Sequence, residues 1–318
     1  MSLRKIASVF VLAIVLSIGV GFLQAQTNSG ALVGVVRDPS GAVIPNTTVN
    51  ATNEATGVLY TGKTNANGEY RISNLPEGSY GLRTVITGFT PVAIKGVAVS
   101  STIVSTQDIV LTIGQGTTTV EVQSEANVSI DTTTAQISTT FSLKEVQDLP
   151  SATIGLGVLN LSLLSPGVTS SGGLGAGTGP SIAGQRPRNN NFTVDGIDNN
   201  SKSVTGPLLN VPNEAISEFV VLQNVYSAQY GHSAGGQFNS VIASGTNHVH
   251  GRLYEYFQNR NLNAVDQQQA IKNATNPSIA PNFQPRFDFN RYGGQAGAPI
   301  LKDRLFLFGN FEDRKSVV

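Results

Sequence analysis

Two stretches between residues 184 and 246 decide the fold: GQRPRNNNFTVDGIDNN at 184–200 and NEAISEFVVLQNVYSAQYGHSAGGQFNSVIASGT at 213–246. Asn191 to Val194 carries a strand signal closed by Asp195-Gly196, a dipeptide suited to a tight turn because glycine reaches positive φ without steric cost. SEFVVLQN and the glycine-flanked QFNSVI read as two more strands, and Asn213 stands where it would cap a short turn at Glu214 to Ile216. Upstream, Ser142-Leu-Lys-Glu145 is a capping-box signature, with Leu143, Val146 and Leu149 on one side of a short helix that Pro150 ends. A second helical stretch is expected at about Thr153 to Leu164, stopped by Pro166-Gly167. Small helices with short strands make an α+β unit.

Towards the N-terminus, from Ala31 to about Gly114, short β-branched runs alternate with turn chemistry: ALVGVVR, TTVNATN, GVLYTGKT, EYRIS, YGLRTVI, VAIKGVAVS and QDIVLTI. Asp38-Pro39-Ser40-Gly41, Asn65-Ala66-Asn67-Gly68 and Pro76-Glu77-Gly78 punctuate them. Seven such strands predict a two-sheet sandwich with Tyr70, Tyr80 and Phe89 in its core. Residues 115–140 are polar and Thr-rich, and read as a linker. Ahead of the sandwich, Arg4-Lys5, an apolar run from Ile6 to Leu23 and Gln24-Ala25-Gln26 follow the order of a secretory signal cleaved after Ala25. A retained helix is the rival reading of that run.

Towards the C-terminus the composition turns aromatic. RFDFNRYGG alternates Phe287 and Phe289 with Asp288 and Asn290, as in a strand with lipid on one side and a lumen on the other, and Phe306, Phe308 and Phe311 are girdle candidates. The 69 or so residues after His250 hold three to five strands at about ten residues each. That is too few to close a barrel, so the chain reads as part of a longer frame or as a truncated one. Barrel strands left open in this way would expose their edges.

The order GQR turn, VDG strand, SEFVVLQN, YSAQYG and glycine-rich strand resembles the plug domain of TonB-dependent outer-membrane receptors, as do VQDLP and LLSPGV before it. TNANGEYRISNLPEGSYGLRTVITGF resembles the carboxypeptidase regulatory-like domain. GTNHVHGRLYEYFQNRNLNA and YGGQAGAPILKDRLFLFGNFE resemble the first barrel strands of Oar-like members. Ala298 replaces a common glycine of that signature, and Gln223-Asn224 replaces an RG pair of siderophore plugs, which argues against a siderophore ligand.

The resemblance implies a mainly β chain. Residues 1–25 would be a signal peptide, 26–114 a transthyretin-like β-sandwich, 115–140 a linker, 141–246 an α+β plug domain and 247–318 the first antiparallel strands of an incomplete outer-membrane β-barrel. It implies export to the outer membrane, contact with membrane lipid through the strands, and capture of an extracellular ligand, with oligosaccharide and peptide among the classes open. It also implies energy from a periplasmic TonB-type protein that adds a strand of the receptor to its own sheet. Thr118, Thr119, Val120, Glu121 and Val122 are the candidate contact, and they read equally as an ordinary strand of a neighbouring domain. Gly184, Gln185, Arg186, Asp195 and Gly196 carry the plug motif. The alternatives are a secreted or surface carbohydrate-binding or adhesion protein without transport, and a periplasmic peptidase accessory domain.

Chemistry of other kinds finds little support. The chain has no cysteine, so it can hold no disulfide, thiolate metal site or cysteine nucleophile. Lysine plus arginine equals aspartate plus glutamate, with no basic block to follow a phosphate backbone, so nucleic acid is not expected as a partner. The regulatory-like segment contains no histidine for a metallopeptidase. His248-x-His250 shares a strand face but lacks a carboxylate beside it, and Asp195 and Asp198 read as turn formers. No nucleophile elbow, zincin or phosphate-loop motif occurs. No enzyme, cofactor or metal is expected.

Overall fold

The computed structural model describes residues 29–101, 103–114, 120–123, 135–149, 157–170, 179–202, 206–226, 230–231, 233–262, 264–265, 267–276, 278, 283–284 and 288–317. The expected leader, Thr118, Thr119, His232 and Phe287 lie outside them. Strand dominates, and no helix among the described residues is long and apolar enough to cross a membrane, which leaves strand crossings open.

The first unit is a two-sheet sandwich. One sheet runs β4 (Glu69–Leu75), β1 (Gly30–Arg37), β7 (Val104–Thr106), with β8 (Ile109–Val110) also on β1. The other runs β3 (Leu59–Lys63), β2 (Thr48–Asn53), β5 (Gly78–Thr84), β6 (Val92–Val99), β9 (Val120–Gln123). Alternation along β4 and β6 sends Tyr70, Ile72, Leu75, Ile94 and Val97 inward onto Leu32, Val49, Tyr80 and Leu111. Tyr80 is fully buried; its hydroxyl donates to Pro76 O at 2.9 Å, and burial pushes its pKa up to about 12. Phe89 is only partly buried at the core margin. The expected seventh strand, QDIVLTI, is reduced to β8, and a strand that was not expected, β7, precedes it; both run parallel to β1. β1 lies so close to this segment that a Cβ on Gly34 would come 1.9 Å from Gln107 O. At the Asn65 turn, Asn65 Oδ1 accepts from the amides of Asn67 and Glu69, an Asx turn with no need of a cation.

The middle unit is built on the sheet β10 (Ile137–Ser142), β15 (Ile216–Asn224), β16 (Gln237–Ile242), β13 (Asn191–Val194), β14 (Ile197–Asp198). β15 is its buried axis. Phe219 sits in the centre, with ring centroids 6.0 Å from Phe141 and 6.3 Å from Phe238, which stacks 5.1 Å from Phe192. Helix α1 (Leu143–Asp148) begins where Ser142 N donates to Glu145 Oε2 at 2.8 Å. It buries Val146, whereas Leu143 is exposed. The expected second helix is a 3-10 turn at Gly157–Leu164, and Asn213 lies inside a 3-10 turn, Asn213–Ala215, that Pro212 caps. The stretch expected as a linker gives a strand to each neighbour, β9 to the sandwich and β10 to this sheet.

The third unit is an open antiparallel sheet of β17 (His250–Asn259), β18 (Asp288–Leu301) and β19 (Leu305–Val317). A tight turn at 302–304 joins β18 to β19. Residues 260–287 join β17 to β18 and contain helix α2 (Gln267–Thr275). Register fixes the faces. Tyr254 opposes Gly293 and Glu312, while Tyr256 opposes Arg291 and Arg314, all on the side of the middle unit. Leu253, Gly294 and Phe311 share the other side, where Leu253 is 88% and Phe311 69% exposed. Phe289 is buried on the inner side and Asn290 opposes Phe257 on the outer, the reverse of the expected facing. Phe306 and Phe308 lie opposite in face to Phe311, so the three do not form one girdle.

Candidate functional site

The middle unit meets the open sheet through Glu214. The 3-10 turn that opens β15 carries this side chain to the sheet's inner face, where it is 1% exposed. The Tyr256 hydroxyl donates to Glu214 Oε1, and Arg252 Nη1 stands 3.4 Å from Oε2, an ion pair short of hydrogen-bond geometry. Arg252 also donates to Gln147 of α1. Behind this contact Arg291 lies 4.3 Å over the Tyr256 ring and 3.8 Å from Glu312, which Arg314 approaches to 2.5 Å and to which the Tyr254 hydroxyl donates at 3.2 Å. Three guanidinium groups thus face two buried carboxylates; Arg291 is buried with them and must be matched to offset its desolvation, while Arg252 and Arg314 stay partly exposed, where water screens their pairing. The arrangement can hold two bodies in register.

The motif residues serve as turns. Ala183 and Gly184 both have positive φ, and Gln185 N donates to Ile182 O at 2.8 Å; Gln185 and Arg186 are exposed. Asp195 and Gly196 have φ of 49° and 79°, as a two-residue hairpin turn between β13 and β14 demands. Asp195 Oδ1 accepts Ile242 N at 2.9 Å, tying the hairpin to the end of β16, and burial raises its carboxyl pKa. These turns shape the unit, with neither adding to the Glu214 cluster. Val120, Glu121 and Val122 form β9, in parallel register with Val92, Ala93 and Ile94 of the sandwich. His248 and His250 are exposed, and no group of three metal-ligating side chains occurs among the described residues.

A second contact joins the sandwich to the middle unit. Glu218, buried in β15, accepts from the hydroxyls of Ser100 and Ser101 and, at 2.9 Å, from Ser101 N. Burial raises its carboxyl pKa, as does the Glu77 carboxylate, with the serine donors opposing. Glu77 is raised by burial in turn, against a hydrogen bond from Ser217. The sequence reading missed Glu214 and Glu218; their signal is a carboxylate at two places in the otherwise apolar run EAISEFVVL.

Comparisons with known proteins agree with this architecture. Residues 31–112 match the carboxypeptidase regulatory-like domain, 129–237 the TonB-dependent receptor plug domain and 241–317 an outer membrane beta barrel domain. The TonB-dependent transporter Oar of Myxococcus xanthus is 27% identical over 295 residues, which cover 91% of this chain and 27% of that protein. The chain thus spans about a quarter of the length of this relative. Among solved structures, the siderophore receptor PirA of Acinetobacter baumannii is 23% identical, with a TM-score of 0.40 over 55% of this chain and 24% of its own. The outer membrane transporter YddB of Escherichia coli is 17% identical, with a TM-score of 0.44 over 56% of this chain and 26% of its own.

Proposed function

We propose, for a chain that belongs to the Oar-like TonB-dependent outer-membrane receptors, that its middle unit is a plug seated on the first strands of a transport barrel, and that a ligand passes when a TonB-type protein draws on the segment ahead of the plug. The family is one of receptors and transporters rather than enzymes. The observation that carries the reading is Glu214, a buried plug carboxylate whose partners Arg252 and Tyr256 lie on the inner face of β17. A plug held by a compact polar cluster stays shut at rest and yields to a directed force, because such contacts fail together once water enters. Residues 118–122 are the proposed handle, since a strand that pairs through its backbone can be handed to a second sheet. The sandwich stands on the periplasmic side, next to the tight turn at 302–304, in keeping with short periplasmic turns and longer outer loops.

The test is the full receptor in its own membrane. It should fractionate with the outer membrane and be captured by the immobilised periplasmic domain of a TonB-type protein. Val122→Pro, which removes a backbone donor, should lower capture at least tenfold without changing fractionation. Recovery in the soluble periplasm would overturn the receptor reading, and undiminished capture would move the handle away from 118–122.

A further inference from the structure

The sandwich grips two bodies at once. It holds the plug through Ser100, Ser101 and Glu218. It holds the sheet through Asn247, whose N and Nδ2 donate to Ala55 O and Thr56 O at 3.0 and 2.8 Å. Asn247 is bound in turn to the β18–β19 turn: its Nδ2 donates to Asp303 Oδ1 at 2.7 Å, and its Oδ1 accepts Asp303 N at 2.9 Å. The segment carrying Asn247 goes with the sheet rather than the plug. A Cβ on Gly245 would fall 2.4 Å from Leu307 O and 2.7 Å from Ala298 O, so this backbone lies hard against β18 and β19.

A body tied to two others cannot keep both ties when those two shift. The ties differ in kind. Glu218 is a buried carboxylate held by serines and one amide, and the charge acting on it is another carboxylate, Glu77. The Asn247 tie consists of neutral or exposed groups, spread over two backbone carbonyls and a reciprocal pair. Its fit is close enough that Gly57 has no room for a side chain beside Asp303. The first tie loses a mutual repulsion when it opens; the second loses only bonds.

We propose that the sandwich is a clasp at the periplasmic mouth: it lets go of the plug at the Glu218 latch when the plug moves and stays on the barrel at the Asn247–Asp303 joint. The plug movement rests on the receptor reading above. The clasp makes the sandwich a swinging cover rather than cargo that travels with the plug.

These 318 residues have no cysteine, so, with any cysteine elsewhere in the full receptor changed to serine, an introduced thiol reports alone. Ser101→Cys should react slowly with N-ethylmaleimide in the purified full receptor, because Ser101 has no exposed surface. Adding Glu218→Ala should raise the rate at least tenfold. Hydrogen exchange at the amides of Asn247 and Asp303, which donate to Ala55 O and Asn247 Oδ1, tests the joint with every residue of it in place. Their protection should be equal with and without Glu218→Ala. Should Glu218→Ala fail to assemble, Glu218→Gln keeps the side-chain shape and should raise labelling a few-fold. Unchanged labelling in the variant that assembles, or Asn247 and Asp303 amides that lose their protection when the latch is removed, would overturn the proposal. In cells, Ser101→Cys labelling should fall when a protonophore removes the energy source. If it does not, while the TonB-type domain still captures the receptor, the clasp is wrong and the receptor reading survives; if capture is also absent, the receptor reading falls first.

Discussion

Replacing Glu214 with alanine should unseat the plug from the barrel wall, and the structure sets how far. The substitution removes a hydrogen bond from Tyr256 to an ionised, buried acceptor, worth about 1.5–3 kcal/mol. It also removes an ion pair whose Arg252 side chain is 44% exposed, so solvent screening limits that loss to about 0.2–1 kcal/mol. Together they come to about 2–4 kcal/mol, or roughly 30- to 1,000-fold in the population of the unseated plug. Glu214→Gln keeps a neutral acceptor for Tyr256 and should lose about half as much. The distance between spin labels at the exposed Lys144 of α1 and Lys302 of the 302–304 turn, in the full receptor, reads the effect, since one label rides on the plug and the other on the barrel sheet. The unseated population should grow from native to Glu214→Gln to Glu214→Ala. An alanine variant whose distance distribution matches the native one would refute the view that this cluster holds the plug.

Other outcomes follow from the same geometry. Burial raises both the Glu77 and the Glu218 carboxyl pKa in the docked state, so docking binds protons. The latch should be tightest below the ordinary carboxylate value and loosen as pH rises through the raised values. Spin labels at the exposed Arg83 and Lys144 should show the sandwich and plug moving apart as pH climbs from 5 to 8, and a distance that shortens instead would contradict the sign. Gly34→Ala should cost about 1–3 kcal/mol by forcing β1 away from the Gln107 carbonyl, seen as a lowered sandwich unfolding midpoint in a calorimetric scan.

Local chemistry was legible in the sequence, and long-range pairing was not. Asp195-Gly196 and the Glu145 cap could be placed because their causes lie within a few residues. The facing of Phe289 came out reversed because alternation fixes the period of a strand and not its phase; a one-residue slip exchanges the two faces, and only the pairing of Tyr256 with Arg291 resolves it. The parallel pairings of β7 and β8 with β1, and of β9 with β6, join segments far apart in the chain, so no local pattern announces them. Glu214 and Glu218 escaped for a related reason: a carboxylate in a strand reads as solvated until its partners, Tyr256 and the two serines, arrive from other units.

The outer face of the open sheet carries its own waterline. Glu255, Tyr292 and Asp313 form one level across the three strands, and the Tyr292 hydroxyl donates to Asp313 at 2.6 Å. Below that level the outward positions are Leu253, Gly294, Phe311, Gly251, Ala296, Gly309, Ala298 and Leu307, with no charge until the turn at 302–304. From Tyr292 to Leu301 the strand runs about nine residues, roughly 30 Å of extended chain, or about 22–25 Å of height at the usual barrel tilt, which matches the apolar band of an outer membrane. The immersion depth is therefore written into these three strands. Bilayer thickness would act on them directly: a thicker leaflet would drown the Tyr292–Asp313 pair, and a thinner one would leave Leu301 and Leu305 in water beside the sandwich.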